Sequence, residues 1–138
     1  MAGRNRKFPH LLAKDIDLWL RFIDANPNRF KEYEYDIRVG AGRDPGEECP
    51  DEIRRMSRDL SQRRIDVIGL SVDSITIIEI TCSAGLRAIG QVIAYPILYQ
   101  LTHPQAPPMH TLIVAESIQT DMQVVFDRLN VPVEIYPE

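Results

Sequence analysis

Cysteine is scarce in this chain. Cys49 and Cys82 are the only two, and they do not form a CxxC pair. That spacing excludes a disulfide framework and the usual zinc patterns, and it suits two reduced thiols in a cytoplasmic protein. A long apolar run is also missing. No stretch approaches the roughly 20 residues of a membrane-spanning helix, so no membrane association is expected. The opening "MAGRNRKFPHLL" lacks an apolar segment of the kind a secretion signal needs and reads as ordinary chain. Internal repeats and low-complexity tracts are absent. A positive balance is missing too: the formal net charge is −4, so attraction to a polyanion would have to come from a local basic patch. What is present is ordinary globular material. A chain of 138 residues with 44% hydrophobic and 26% charged residues can bury one core, which fits a single domain over residues 1–138.

The patterning alternates between the two secondary-structure periods. Leu12, Ile16, Trp19 and Ile23 recur every three or four residues, which predicts a first helix over Pro9 to Ala25, ended by Asn26-Pro27-Asn28. "EYEYDIRVG" alternates and reads as a strand. "AGRDPGEECPD" is a loop, and "DEIRRMSRDLSQ" is a short helix or ordered loop with Ile53, Met56 and Leu60 three and four apart. Two strands follow, about Arg64 to Leu70 and Ile75 to Thr81, joined by the turn "SVDS". A long helix then opens at Ser83 or Gly85 and runs to about Leu101, with Pro96 expected to kink or split it. After the linker "HPQAPP" come the buried-type strand Thr111 to Ser117, a helix over Asp121 to Asn130, and the last strand "VPVEIY". This order predicts an α/β fold, a mixed central β-sheet flanked by helices.

Two acids stand inside the most apolar strands. Asp66 shares a strand face with Ile68 and Leu70, and Glu79 shares one with Ile75, Ile77 and Thr81. If Leu70 opposes Ile75, Asp66 lies directly opposite Glu79. A turn two residues tighter sets Asp66 against Thr81, with Glu79 one step diagonal, and a three-residue loop would separate the acids. Two carboxylates that face each other repel. A shared proton, an arginine, or a divalent cation such as Mg²⁺ or Mn²⁺ would offset that. The competing structural reading is an acid at a solvated strand end, paired with Arg63 or Arg64. On the next helix Arg87, Gln91 and Tyr95 recur every four residues as one polar stripe, while Leu86, Ile89, Ile93 and Ile97 form an apolar one. The polar stripe lines either a site or a solvated face.

Taken together, "RRIDVIG", "IIEI" and "GQVIAY" resemble the PD-(D/E)XK nuclease superfamily, in its QxxxY exonuclease-like branch, over about Leu11 to Ser117. Asp66 matches the motif Asp, Glu79-Ile80-Thr81 aligns with ExK, and Gln91 to Tyr95 matches QxxxY. The resemblance implies a restriction-endonuclease-like core (αβββαβ) and metal-dependent phosphodiester cleavage. Asp66, Glu79 and the carbonyl of Ile80 would hold Mg²⁺ or Mn²⁺, with Gln91 and Tyr95 shaping the site and contacting the substrate backbone. A first-helix acid joins such sites; Asp15 is the favoured candidate and Asp17 the alternative, with a first-turn acid on the helix dipole as the structural reading. The literal "PD" at Pro50-Asp51 falls in a loop and is set aside.

The chain departs from the family at Thr81, where the motif has lysine. Its only lysines are Lys7, Lys14 and Lys31, all before the hairpin. Arg87 is then the cation expected on the correct helix face. Arginine can stabilise charge but cannot act as a base. The functional expectation is therefore a nuclease-like DNA-associated protein, either a degenerate or weak Mg²⁺-dependent phosphodiesterase or an active small nuclease using Arg87. Some small proteins of this kind look like bacteriophage virion assembly or head-completion components, which places this one in a bacterial host's cytoplasm or in a virion. Arg54, Arg55, Arg58, Arg63 and Arg64 are the expected DNA contacts, with acidic protein surfaces and homo-oligomers as other partners. Asp51, Glu52 and Asp59 lie among them, and local ion pairs are the competing reading.

Overall fold

The structure, a computed structural model, describes residues 11–138. It is an α/β fold with one five-stranded mixed sheet and four helices among the described residues. The elements in chain order are α1 (Ala13–Ala25), β1 (Glu32–Val39), α2 (Asp51–Ser61), β2 (Arg63–Leu70), β3 (Ile75–Ala84), α3 (Leu86–Thr102), β4 (Met109–Ile118), α4 (Met122–Arg128) and β5 (Val133–Ile135). The expected start of the first helix at Pro9 lies outside the described residues.

The strands lie in sequence order across the sheet. β1, β2 and β3 form an antiparallel meander, whereas β4 and β5 each run parallel to their predecessor. Parallel pairing requires a crossover, and α3 and α4 supply the two. Each crossover helix buries its inner side on the sheet face it returns across. Ala88, Ile89 and Val92 of α3 meet Met122 and Phe126 of α4 over Ile113 and Ala115. The opposite face is covered by α1, whose Ile16, Trp19 and Phe22 pack on Val67, Ile78, Ile80, Leu112 and Val114.

Pro96 does not split α3. The helix is continuous from Leu86 to Thr102 with Pro96 inside it. Proline removes one backbone donor, but Tyr95 before it and Leu98 and Tyr99 after it pack into the same cluster on Ile65, Ile68 and Ile77. Both halves are held on one sheet face, so the missing hydrogen bond does not break the element. The segment 51–61 is a true helix, but it buries none of its residues. Its Ile53, Met56 and Leu60 face outward. No helix among the described residues is long and apolar enough to cross a membrane.

Candidate functional site

The four-residue turn Ser71–Ser74 closes with the Ser71 amide donating to the Ser74 carbonyl (2.9 Å). It sets Leu70 opposite Ile75 and Val67 opposite Ile78. Continued by one residue, that register brings Asp66 opposite Glu79. At this point the backbone ladder stops and the side chains take over. The Asp66 amide donates to Glu79 Oε2 (3.1 Å), and the Ile80 amide donates to Asp66 Oδ2 (2.9 Å). Each carboxylate has replaced a carbonyl of the facing strand, which accounts for two acids inside two apolar strands.

A third acid stands in the same row. β1 pairs Tyr35 with Val67 and Ile37 with Ile65, leaving Asp36 at the position facing Asp66. Asp36 has a left-handed backbone (φ 57°), a conformation Asp tolerates better than most residues, and its carboxylate lies 3.6 Å from the Arg64 guanidinium. Arg64 thus pairs with an acid that the sequence pattern did not implicate.

Glu79 is almost fully buried, at 1% exposure, and its Oε1 makes no hydrogen bond. An unsatisfied buried acceptor costs about 1–3 kcal/mol, more when charged. Burial pushes the Glu79 carboxyl up, and the neighbouring Asp66 charge pushes it further; the Asp66 amide and Arg87 oppose this weakly. Asp66 is raised mainly by burial as well, against the Ile80 amide, while Asp15 adds to the rise and Arg87 reduces it.

These directions give a pH prediction. An acid whose folded pKa is raised binds more protons folded than unfolded, so its stabilisation is full on the acid side and is lost as pH rises through the folded value. Wild-type stability without metal should therefore decline from the ordinary carboxylate range, about pH 4, up through neutrality. Glu79→Gln should flatten this decline and be the more stable protein at pH 8 by about 1–3 kcal/mol. Urea midpoints at pH 5 and pH 8 test it, and equal slopes for the two proteins would remove Glu79 as the source.

In front of the pair opens a cleft of about 780 Å³ between the first turn of α1 and the first two turns of α3. Lys14, Asp15, Asp66, Thr81, Arg87 and Gln91 line it, with Ile80 at its floor. Glu79 and Tyr95 stand behind that wall. Tyr95 is buried at 6% exposure. It packs among Ile65, Ile68 and Ile77 and is not among the residues that border the cleft. At the β3–α3 junction a Cβ on Gly85 would meet only the far end of the exposed Gln119 side chain, which can move aside.

Asp15 reaches the cleft, while Asp17 is exposed on the far side of α1. The Cys82 thiol donates to Asp15 Oδ1 at 3.6 Å. Burial and the nearby acids Asp15 and Glu116 push that thiol up to about 12, which suits it to donate as a neutral group. Thr81 turns its hydroxyl to the Ser83 carbonyl (3.3 Å) and offers the cleft no charge.

Among the described residues, the cations at the cleft are Lys14 and Arg87. Lys14 was not anticipated. Nothing in the helical period marked it, because adjacent residues of a helix point about 100° apart. The five arginines expected to contact DNA do not border the cleft. Arg54 grips Asp44 with two hydrogen bonds (3.0 and 2.7 Å) and Arg58 lies 3.6 Å from the same carboxylate. Arg54 and Arg58 are thus occupied in a local ion-pair network, while Arg55 faces a separate groove with Arg38 and Glu52.

Compared with known protein families, with curated proteins and with solved structures, the chain gives no significant match. Among the described residues no group of three or more His, Cys, Asp or Glu side chains is arranged to hold a metal ion. A divalent cation here would rest on fewer side chains. Two opposed carboxylates with an unpaired oxygen on Glu79 are the donor chemistry that a hard cation takes.

Proposed function

We propose that this chain is a nuclease-like, DNA-associated domain of the PD-(D/E)XK kind, with a weak or degenerate Mg²⁺-dependent phosphodiesterase site. The observation that carries this reading is the reciprocal exchange of Asp66 and Glu79 across β2 and β3, with Asp66 on the wall of a cleft that Lys14 and Arg87 also border. In this reading α1, β1–β3, α3 and β4 form a restriction-endonuclease-like core and α2 is an insertion. Asp66, Glu79 and the Ile80 carbonyl would hold Mg²⁺ or Mn²⁺. When bound, such an ion lowers the pKa of an attacking water and stabilises charge on the phosphate. Lys14 and Arg87 meet a phosphate in the cleft, and Gln91 orients it. Arg87 stays protonated and takes no proton from water.

A second reading is a non-catalytic descendant used in assembly, such as a virion or head-completion component. Thr81 favours it, because the position that carries the ammonium in the motif here bonds only to its own strand.

Metal-dependent melting tests the proposal. Mn²⁺ at about ten times its Kd should raise Tm by roughly 3–7 °C by mass action. Asp66→Asn should abolish the rise. An unchanged wild-type Tm in millimolar Mn²⁺ would reject a working metal site and leave the assembly reading.

A further inference from the structure

α2 buries none of its residues, yet its last turns hold a loop in place. The Arg43 amide donates to the Ser61 hydroxyl, and the Ser57 hydroxyl donates to the Arg43 carbonyl (3.1 Å). Gln62, just past the helix, donates from its side chain to the Gly40 carbonyl (2.7 Å). Gly42 lies so close to the main chain of Arg58 that a Cβ there would overlap its carbonyl. Gly40 and Gly42 both have left-handed backbones (φ 79° and 74°). Glycine turns of this kind let main-chain N–H groups come close to an anion. The loop 40–43, Ser61, Arg63 and Leu98 border a cavity of about 450 Å³.

The charge around this cavity has one sign. Arg43 and Arg63 border it and no acid does. Among the described residues neither arginine makes an ion pair, whereas Arg21, Arg29, Arg54, Arg58 and Arg64 each face a carboxylate. Asp44, the acid next to Arg43 in the chain, is taken up by Arg54 and Arg58. Two unpaired guanidinia beside a glycine turn are the donors that an oxyanion takes. We propose that this cavity binds a phosphate group and is a second site, apart from the carboxylate cleft. Spacing favours a phosphate of a nucleic-acid strand that also passes the cleft. Asp66 and Arg63 are three residues apart on β2, about 10 Å. Gln91 of the cleft and Leu98 of the cavity are seven apart on α3, again about 10 Å. A strand with a phosphate every ~3.4 Å of axis covers that distance within a few nucleotides. The choice of a strand rests on the nuclease-like reading; a free phosphate or a small phosphate ester has the same chemistry.

An NMR titration of the isotope-labelled full chain tests this, without divalent metal and at constant ionic strength. Inorganic phosphate replacing chloride should move the amides of Gly40, Gly42 and Arg43 saturably, with a Kd on the order of millimolar. Arg43→Ala and Arg63→Ala should each raise that Kd about tenfold, the loss of one charge-assisted contact. Their Tm should match wild type, since the loop is anchored through the main chain of Arg43. Arg55→Ala, whose side chain faces another groove, should bind as wild type does. A DNA oligonucleotide of about 12 nucleotides should move the same amides and weaken in the same two variants. If inorganic phosphate moves them and DNA does not, the site serves a free phosphate or a small ester. Loop amides that follow neither titrant overturn the proposal. So does a response that both arginine variants keep in full, because the arginines then hold nothing. No metal enters this test, so a missing Mn²⁺ response in melting leaves it standing, and its failure leaves the carboxylate pair untouched.

Discussion

Thr81→Lys is expected to raise Mg²⁺-dependent nicking of supercoiled DNA by about 100- to 1000-fold over a slow or silent wild type. Position 81 follows Glu79 by one pleat of β3, so both residues face the same side of the strand. It borders the cleft with Asp66, and an ammonium there would lie within reach of a water held at the carboxylate pair. Glu79→Gln in the same background should remove the gain, which guards against a contaminating nuclease. The competing outcome is informative. If Lys14 or Arg87 already supplies the charge, wild type cuts DNA, and Lys14→Ala or Arg87→Ala loses most of that activity. A nicking time course on these five proteins separates the two. If none cleaves single- or double-stranded DNA, the phosphodiesterase reading falls and the assembly reading remains.

Trp19→Ala should cost about 3–5 kcal/mol, a large part of the stability of an ordinary domain. Trp19 is fully buried. Its ring stacks on Phe22 (4.9 Å between centroids, 13° between planes) and meets the edge of Tyr33 at 5.1 Å. Its indole N–H donates to the Tyr35 hydroxyl at 3.1 Å. The substitution removes all of these and leaves a cavity under α1. Trp19→Phe keeps a ring in place and should cost less than half as much. Urea unfolding followed by circular dichroism measures both, since Trp19 is the only tryptophan and its fluorescence is lost with it. A cost below about 1 kcal/mol for the alanine variant would mean that α1 is not docked on the sheet as described. α1 also carries Lys14 and Asp15 to the cleft, so a partly folded variant should lose metal-dependent stabilisation together with stability.

The elements were legible because their signals are local. The three- and four-residue recurrence of Ile16, Trp19 and Ile23 marks α1, and the alternation of "EYEYDIRV" marks β1, while the stretch between Leu70 and Ile75 left the hairpin register open and the structure takes the one with Leu70 opposite Ile75. The α/β class and the mixed sheet follow from the order of such elements. What the local pattern does not encode is how elements distant in the chain converge. Asp36 comes into line with Asp66 only through the β1–β2 register, which spans a long connection and a helix. Lys14 shares the cleft with Arg87 because α1 and α3 cover opposite sheet faces and both begin near the end of β3. The arginines of α2 look like a basic patch in sequence, yet Arg54 and Arg58 fold back on Asp44 of the preceding loop. The polar and apolar stripes of α3 are both visible in its sequence, but periodicity alone does not say which one faces the sheet. That depends on where the crossover lands: Tyr95 fits among Ile65, Ile68 and Ile77, and Leu86, Ile93 and Ile97 are left in solvent. The sequence by itself determined the periods, the turns and the acids of the hairpin, because those depend on near neighbours along the chain. The tertiary structure alone decided which charges share a cleft and which apolar face stays outside, because those depend on packing between segments that the chain keeps far apart.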